Sequence, residues 1–169
     1  MIKQEFIRSN LYHGKNFVSK ELKYGTFTKE NFELYKKFSK DKEYCVPVIT
    51  WESLTQYSMK KIRPYCTLVE CLLDYPDKYE IPNKNIAEAL QVFCQIYTDC
   101  IQFSHENLPQ GQYFMHQDMY LKNLVFTHDL KLKLLDIDSF IVIDEIMSGK
   151  YIASWNQLAW LVSNRIHNV

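Results

Sequence analysis

The tightest constraint in this sequence lies in residues 114–140, where three polar side chains are spaced around two short apolar runs. His116-x-Asp118 is followed by Asn123 five positions after the aspartate, and Asp136 stands thirteen positions beyond Asn123. Residues 124–126 and 132–135 read as two strands, with Thr127-His128-Asp129 as the reversal between them. A tight hairpin brings its flanks together, so Asp118, Asn123 and Asp136 should converge at one end of it. Two carboxylates and an amide oxygen are hard oxygen donors, which suits Mg²⁺ bridging phosphates.

This pattern resembles the catalytic loop and metal-binding turn of the protein-kinase-like superfamily. The form Leu134-Leu135-Asp136-Ile137-Asp138 is closer in style to aminoglycoside phosphotransferases, choline kinases and lipopolysaccharide-core kinases than to the Asp-Phe-Gly of protein kinases. The resemblance implies an α+β, two-lobed kinase-like fold in one domain. Residues 1–63 would be a reduced N-terminal lobe of sheet plus helix. Residues 64–169 would be a truncated, mostly helical C-terminal lobe carrying the catalytic loop. It also implies roles. Asp118 would orient an acceptor hydroxyl and accept its proton. Asn123 and Asp136 would hold Mg²⁺, and Asp138 would add a metal contact or cap the turn. His116 belongs to the same catalytic motif, as a pin behind the loop rather than as a base.

A chain of 169 residues can build one good core or two small lobes sharing a cleft. Apolar residues make up 47% and aromatics 15%, too many for a disordered chain. Twenty basic and twenty acidic residues cancel, so no overall charge draws the chain to nucleic acid or an anionic membrane. No apolar run reaches the ~18 residues of a membrane span. The opening Met-Ile-Lys-Gln-Glu-Phe lacks the apolar core of a signal peptide. Cys45, Cys66, Cys71, Cys94 and Cys100 form no Cys-x-x-Cys and read as buried thiols of a cytoplasmic protein.

In the N-terminal part, residues 5–11 and 16–22 read as strands. The turn between them, 12–15, contains Gly14, which is free to take a positive φ. Lys20 resembles the third-strand lysine that contacts nucleotide phosphates in kinases and pairs with a helix glutamate. The next helix, 29–39, has Thr26 or Thr28 as its cap. Glu30 shares the stripe of Leu34 and Phe38, which points it inward toward Lys20; Glu33 competes for that pairing. Residues 56–64 read as the last strand and the hinge. The resemblance assigns the backbone of Lys60, Lys61 and Ile62 to the adenine edge, with Met59 at the back of the pocket. Only 19 residues precede Lys20, with Gly14 as their single glycine, so the first strand and most of the glycine-rich phosphate loop are expected to be missing.

The C-terminal part reads as a short helix at 67–73 and a long one at 86–103 with the stripe Ile86, Leu90, Phe93, Tyr97, Ile101. A final helix at 154–166 carries Trp155, Leu158, Ala159 and Val162 on one face. The aspartate that kinases place there to support the catalytic loop is replaced by Ser154, Asn156 or Gln157. Tyr120 stands where Ser/Thr protein kinases carry a lysine, and no Ala-Pro-Glu follows Asp136. The truncated acceptor region implies a homodimer or a partner protein covering the last helix.

The resemblance therefore implies an ATP- and Mg²⁺-dependent phosphotransferase acting on an alcohol acceptor, with a small molecule or glycan favoured over protein. The alternative, from a different class, is a catalytically weak or inactive pseudokinase that binds nucleotide or acts as a scaffold through a partner. A globular domain without nucleotide is the third reading.

Overall fold

The computed structural model describes residues 2–6, 8–74, 78–146 and 148–167. Five antiparallel strands make the N-terminal sheet, in the order β1-β2-β3-β5-β4. They are β1 (Ile2–Glu5), β2 (Ser9–His13), β3 (Phe17–Leu22), β4 (Val48–Ser53) and β5 (Gln56–Lys60). The run read as one strand over 5–11 is broken by a turn, in which the Phe6 N–H donates to the Ser9 carbonyl at 2.8 Å. The expected loss of the first strand is thereby corrected: β1 and β2 form a hairpin ahead of the Lys20 strand. No glycine or proline marks its turn, which is why the sequence did not signal it. Gly14 does not take a positive φ. It is needed instead for close approach, since a Cβ there would lie 2.7 Å from the Phe17 ring.

Helix α1 (Lys29–Phe38) is capped by Thr28, whose hydroxyl accepts the Asn31 N–H at 3.3 Å. Its inner face is Phe32, Tyr35 and Phe38, not the expected stripe of Glu30, Leu34 and Phe38. With Phe38 common to both faces, burying the Phe32 and Tyr35 rings outweighs burying Leu34 beside a carboxylate, and this sets the rotation of the helix. Phe38 is 1% exposed and packs against Phe103, Phe114 and Phe140 at ring-centroid distances of 5.4, 5.9 and 5.2 Å. The helix therefore joins the N-terminal sheet to the rest of the core.

Beyond the sheet, β6 (Pro64–Thr67) leads into a π-helical turn, Glu70–Asp74, where a short helix over 67–73 was expected. Thr67 and Glu70 cap each other: the Thr67 N–H donates to the Glu70 carboxylate at 2.7 Å and the Glu70 N–H to the Thr67 hydroxyl at 3.0 Å. The long helix α2 (Asn83–Asn107) buries Ile86, Ala89, Phe93, Ile96, Cys100 and Phe103. Helix α3 (Ser148–His167) packs on it, with Tyr151, Leu158, Leu161 and Val162 buried. Trp155, expected on the inner face, is 39% exposed.

Two small sheets hold the catalytic-loop region between these helices. The strands β8 (Leu124–Thr127) and β9 (Leu132–Leu134) form the expected hairpin and pair with β6 in the order β6-β8-β9. A second pair, β7 (Tyr113–His116) with β10 (Phe140–Ile143), brackets the hairpin and puts Phe140 opposite His116. The fold is thus α+β, with a sheet-plus-helix lobe and a mostly helical one. Among the described residues no helix is long and apolar enough to cross a membrane. All five cysteines are free thiols, with Cys94 exposed and the other four buried.

Phe38 is the ring on which the two halves of the core meet. Phe38→Ala should therefore cost about 3–5 kcal/mol of unfolding free energy by chemical denaturation; a loss below ~1 kcal/mol would show that the helix does not bear on the core as described.

Candidate active site

Strand register places Lys20 of β3 opposite Tyr57 of β5 and Leu11 of β2. Its side chain is 11% exposed and reaches out of the sheet to the turn that follows β9. There Nζ donates to Asp136 Oδ1 at 2.8 Å and also to Asp138 Oδ1. Tyr57, fully buried, donates its hydroxyl to the same Asp138 oxygen at 2.9 Å. Ser139 Oγ donates to Asp136 Oδ2 at 3.0 Å. Burial opposes the charge on Lys20, but Asp138 and Asp136 outweigh it and hold the ammonium above the ordinary lysine value. Burial likewise pushes the Asp136 carboxyl up, yet Lys20 and the Ser139 hydroxyl win and hold it below the usual carboxylate range. Asp136 sits in the left-handed region, with φ +61° and ψ +56°. Few non-glycine residues adopt that conformation, and it aims the carboxylate back at the sheet.

The loop from Asp118 to Asn123 meets this turn through the backbone. The Leu135 N–H donates to the Asn123 carbonyl at 2.7 Å, which sets Asn123 beside the start of the Asp136 turn. Asn123 Nδ2 donates to the Asp118 carbonyl at 2.7 Å and to Asp118 Oδ2 at 3.2 Å. Both acceptors are oxygens, so the amide nitrogen is committed to them and Oδ1 is the end left for a cation. Asp136 and Asp138 thus offer hard oxygens on the cavity that fit Mg²⁺, while Asn123 lies outside the cavity lining and would reach such an ion through Oδ1. Among the described residues no three His, Cys, Asp or Glu side chains gather into a metal cage. A Mg²⁺ ion here would complete its shell with water and substrate phosphates, which is how this ion is usually held.

A cavity of about 780 Å³ opens in front of these groups. Lys20, Asp118, Asp136, Asp138 and Ser139 line it, with Arg8 from the β1–β2 turn and Lys150 from α3. Sequence reading missed Arg8, Tyr57, Ser139 and Lys150, because nothing local in the sequence links their positions to Asp118.

Two expected roles need correction, those of Glu30 and of the hinge residues. Glu30 does not reach Lys20; it is exposed in the first turn of α1, where its own backbone N–H, then Thr28, holds its carboxyl below the ordinary value. Glu33 is exposed as well. The inner face of α1 is aromatic, and Lys20 finds its carboxylates on the Asp-x-Asp turn instead. Met59, Lys60, Lys61 and Ile62 do not line the cavity. The Lys60 N–H donates to the Pro47 carbonyl at 2.8 Å and the Lys61 N–H to Asn16 at 3.0 Å, so two of the three backbone donors meant for adenine are engaged. His116 is wholly buried behind the loop and outside the cavity lining, the place expected of a pin rather than a base. Its Nε2 faces the Leu135 carbonyl at 3.0 Å, a bond in which only the ring can donate, and its ring packs edge-on against Phe140 at 5.0 Å. Nδ1 has no hydrogen-bond partner among the described residues.

The loop is also held from α3. Ser154, buried, donates Oγ to the Met119 carbonyl at 2.6 Å and so ties α3 to the loop. The Tyr151 hydroxyl accepts the His116 N–H at 3.2 Å.

No protein-family model matches this chain, and no curated protein matches it in sequence. Solved structures do. The kinase PK-1 of Cydia pomonella granulovirus superposes with a TM-score of 0.55 at 14% identity, covering 82% of this chain and 52% of that one. A pseudokinase in its apo form superposes with a TM-score of 0.59, also at 14% identity, covering 94% of this chain and 63% of that one. The fold is protein-kinase-like. This chain spans between half and two thirds of the length of either kinase-like neighbour.

Burial lowers the pKa of His116 from its ordinary 6.5, against the smaller opposing pull of the Leu135 carbonyl. Above pH 6.5 the ring is neutral folded or unfolded, and its contribution to stability is complete. Below 6.5 the unfolded chain takes up the proton first, so stability falls with pH until the folded value is reached, by at most about 1.4 kcal/mol per pH unit. The stability advantage of wild type over His116→Asn in denaturant titrations should therefore shrink from pH 6.5 to pH 5; an advantage that stays constant would contradict a buried neutral ring.

Proposed function

We propose that this protein is a Mg²⁺-ATP-dependent phosphotransferase with an alcohol acceptor. The observation that supports this most is the convergence of Asp118, Asp136, Asp138 and Lys20 on one open cavity, with the Asn123 amide nitrogen bonded to the Asp118 carbonyl. Lys20 would meet the non-transferred phosphates from the sheet side. Asp136, Asp138 and Asn123 would hold Mg²⁺, whose chemistry is to neutralise charge on the β- and γ-phosphates. Asp118 would orient the acceptor hydroxyl, whose oxygen bonds to the γ-phosphorus as the bond to the β-phosphate oxygen breaks. ADP leaves with that electron pair, and the acceptor proton passes to Asp118. Because Lys20 already spans Asp136 and Asp138, its ammonium and the metal compete for the same oxygens until phosphates arrive to share the charge.

A second reading has its own supporting observation. Two hinge N–H groups are engaged and Lys20 is closed onto the Asp-x-Asp turn, which suits a nucleotide-binding or scaffold pseudokinase acting through a partner.

Thermal unfolding with ATP, with and without Mg²⁺, tests the first reading. A ligand that binds only the native state must raise the apparent stability, by about 2.7 kcal/mol at a hundred times its dissociation constant. The ligand-induced shift should need Mg²⁺ and vanish in Asp136→Asn, judged against that variant's own unliganded midpoint. No shift in the folded wild type at millimolar ATP would contradict phosphotransfer at this site.

A further inference from the structure

Lys150 lies in the first turn of α3 and lines the same cavity as Asp118, Asp136 and Lys20. Its Nζ donates to the Gln117 carbonyl at 2.5 Å, one residue before Asp118. The ammonium also stands 5.3 Å from the centroid of the Tyr120 ring. A carbonyl and a ring face thus press the head group against the catalytic loop on both sides of Asp118. Among the described residues no carboxylate lies within ion-pair distance of it. Nor does the helix gain from it, because a cation in the first turn meets the positive end of the helix dipole. An ammonium has three donors, and the Gln117 carbonyl takes one. What remains is a half-buried positive charge, with donors to spare, facing the cavity beside Asp118.

The other cations nearby do not fill this place. Lys20 is bound to Asp136 and Asp138. Tyr120 brings no charge, and Lys122 is exposed, outside the cavity lining. Arg8 lines the cavity from the sheet side.

We propose that Lys150 is a catalytic residue that binds the transferred phosphoryl group from the acceptor side of the site. This rests on the phosphotransferase reading above. As the γ-phosphorus leaves the β-phosphate oxygen and bonds to the acceptor oxygen, negative charge stays on its three remaining oxygens, and the Lys150 ammonium holds it. Lys150 keeps its protons throughout; the acceptor proton still goes to Asp118.

A lysine with this role distinguishes ATP from ADP, because only ATP carries the group it touches. Calorimetric titrations of Mg²⁺-ATP and Mg²⁺-ADP into wild type, Lys150→Met, Lys150→Gln and Lys150→Arg read that difference. Lys150→Met should weaken ATP roughly tenfold, the scale of one lost charge-assisted contact, and leave ADP binding unchanged. Lys150→Gln keeps a donor for the Gln117 carbonyl without the charge and should lose ATP affinity equally, while Lys150→Arg should recover most of it. Lys122→Met should bind both nucleotides as wild type does. Unchanged ATP affinity in Lys150→Met and Lys150→Gln would overturn the assignment. Equal loss of ATP and ADP would also overturn it, in favour of simple loop support. A wild type that binds neither nucleotide would remove the phosphotransferase reading, and this assignment with it.

Discussion

The Lys20 ammonium between Asp136 and Asp138 is the interaction on which the rest of this structure depends. It ties the N-terminal sheet to the Asp-x-Asp turn, and it joins residues 116 and 118 positions apart in the chain. Tyr57 donates to the same Asp138 oxygen and packs with Phe27, Phe32 and Trp51 at centroid distances of 5.4, 6.0 and 6.2 Å. Sheet, helix α1 and Asp-x-Asp turn are therefore interlocked through one polar cluster backed by aromatic rings. A half-buried ion pair of this kind adds little net stability over an apolar substitute, but breaking it from one side leaves a charge without its partner and is destabilising. A charge cluster with that balance is easily justified if its members serve chemistry, and Lys20, Asp136 and Asp138 all face the cavity.

The loop bearing Asp118 is fixed from behind by groups that never touch the cavity. His116 holds the Leu135 carbonyl, Ser154 holds the Met119 carbonyl and Tyr151 accepts the His116 N–H. Ser104 adds a link from α2, accepting the Phe114 N–H at 2.8 Å while donating to Cys100 at 2.6 Å. Each of these satisfies a backbone group that burial would otherwise leave without water. Asp118 and Asn123 are thereby set in place before any ligand arrives, which is what transfer chemistry driven by positioning needs.

What the sequence made legible was local. The hairpin at 124–134 announced itself through two apolar runs around a polar turn, which brings Asp118 and Asp136 to one cavity, with Asn123 bonded to Asp118 beside it. The Thr28 cap and the long helix were readable from residue type and period. What failed depended on distant partners. Glu30 shared a stripe with Leu34 and Phe38, but the rotation of α1 was decided by Phe32 and Tyr35 meeting rings from other elements. The β1–β2 hairpin turns at Phe6 and Arg8 without glycine, so its only signature is pairing with β3. Lys150 and Tyr57 owe their positions in the site to helix and strand packing that no short motif encodes.

Lys20 occupies the Asp136 and Asp138 oxygens in this structure, and under the proposed phosphotransferase reading a metal would displace it only together with nucleotide phosphates. Electron paramagnetic resonance of Mn²⁺, titrated with protein in the absence and presence of ATP, measures that coupling directly. Mn²⁺ retention by the protein alone should be weak, and retention in the ternary mixture at least roughly tenfold stronger than either protein or ATP gives separately. Tight Mn²⁺ binding without ATP would show that Lys20 does not guard the site. Retention no better than ATP alone would show that the protein contributes no metal ligands.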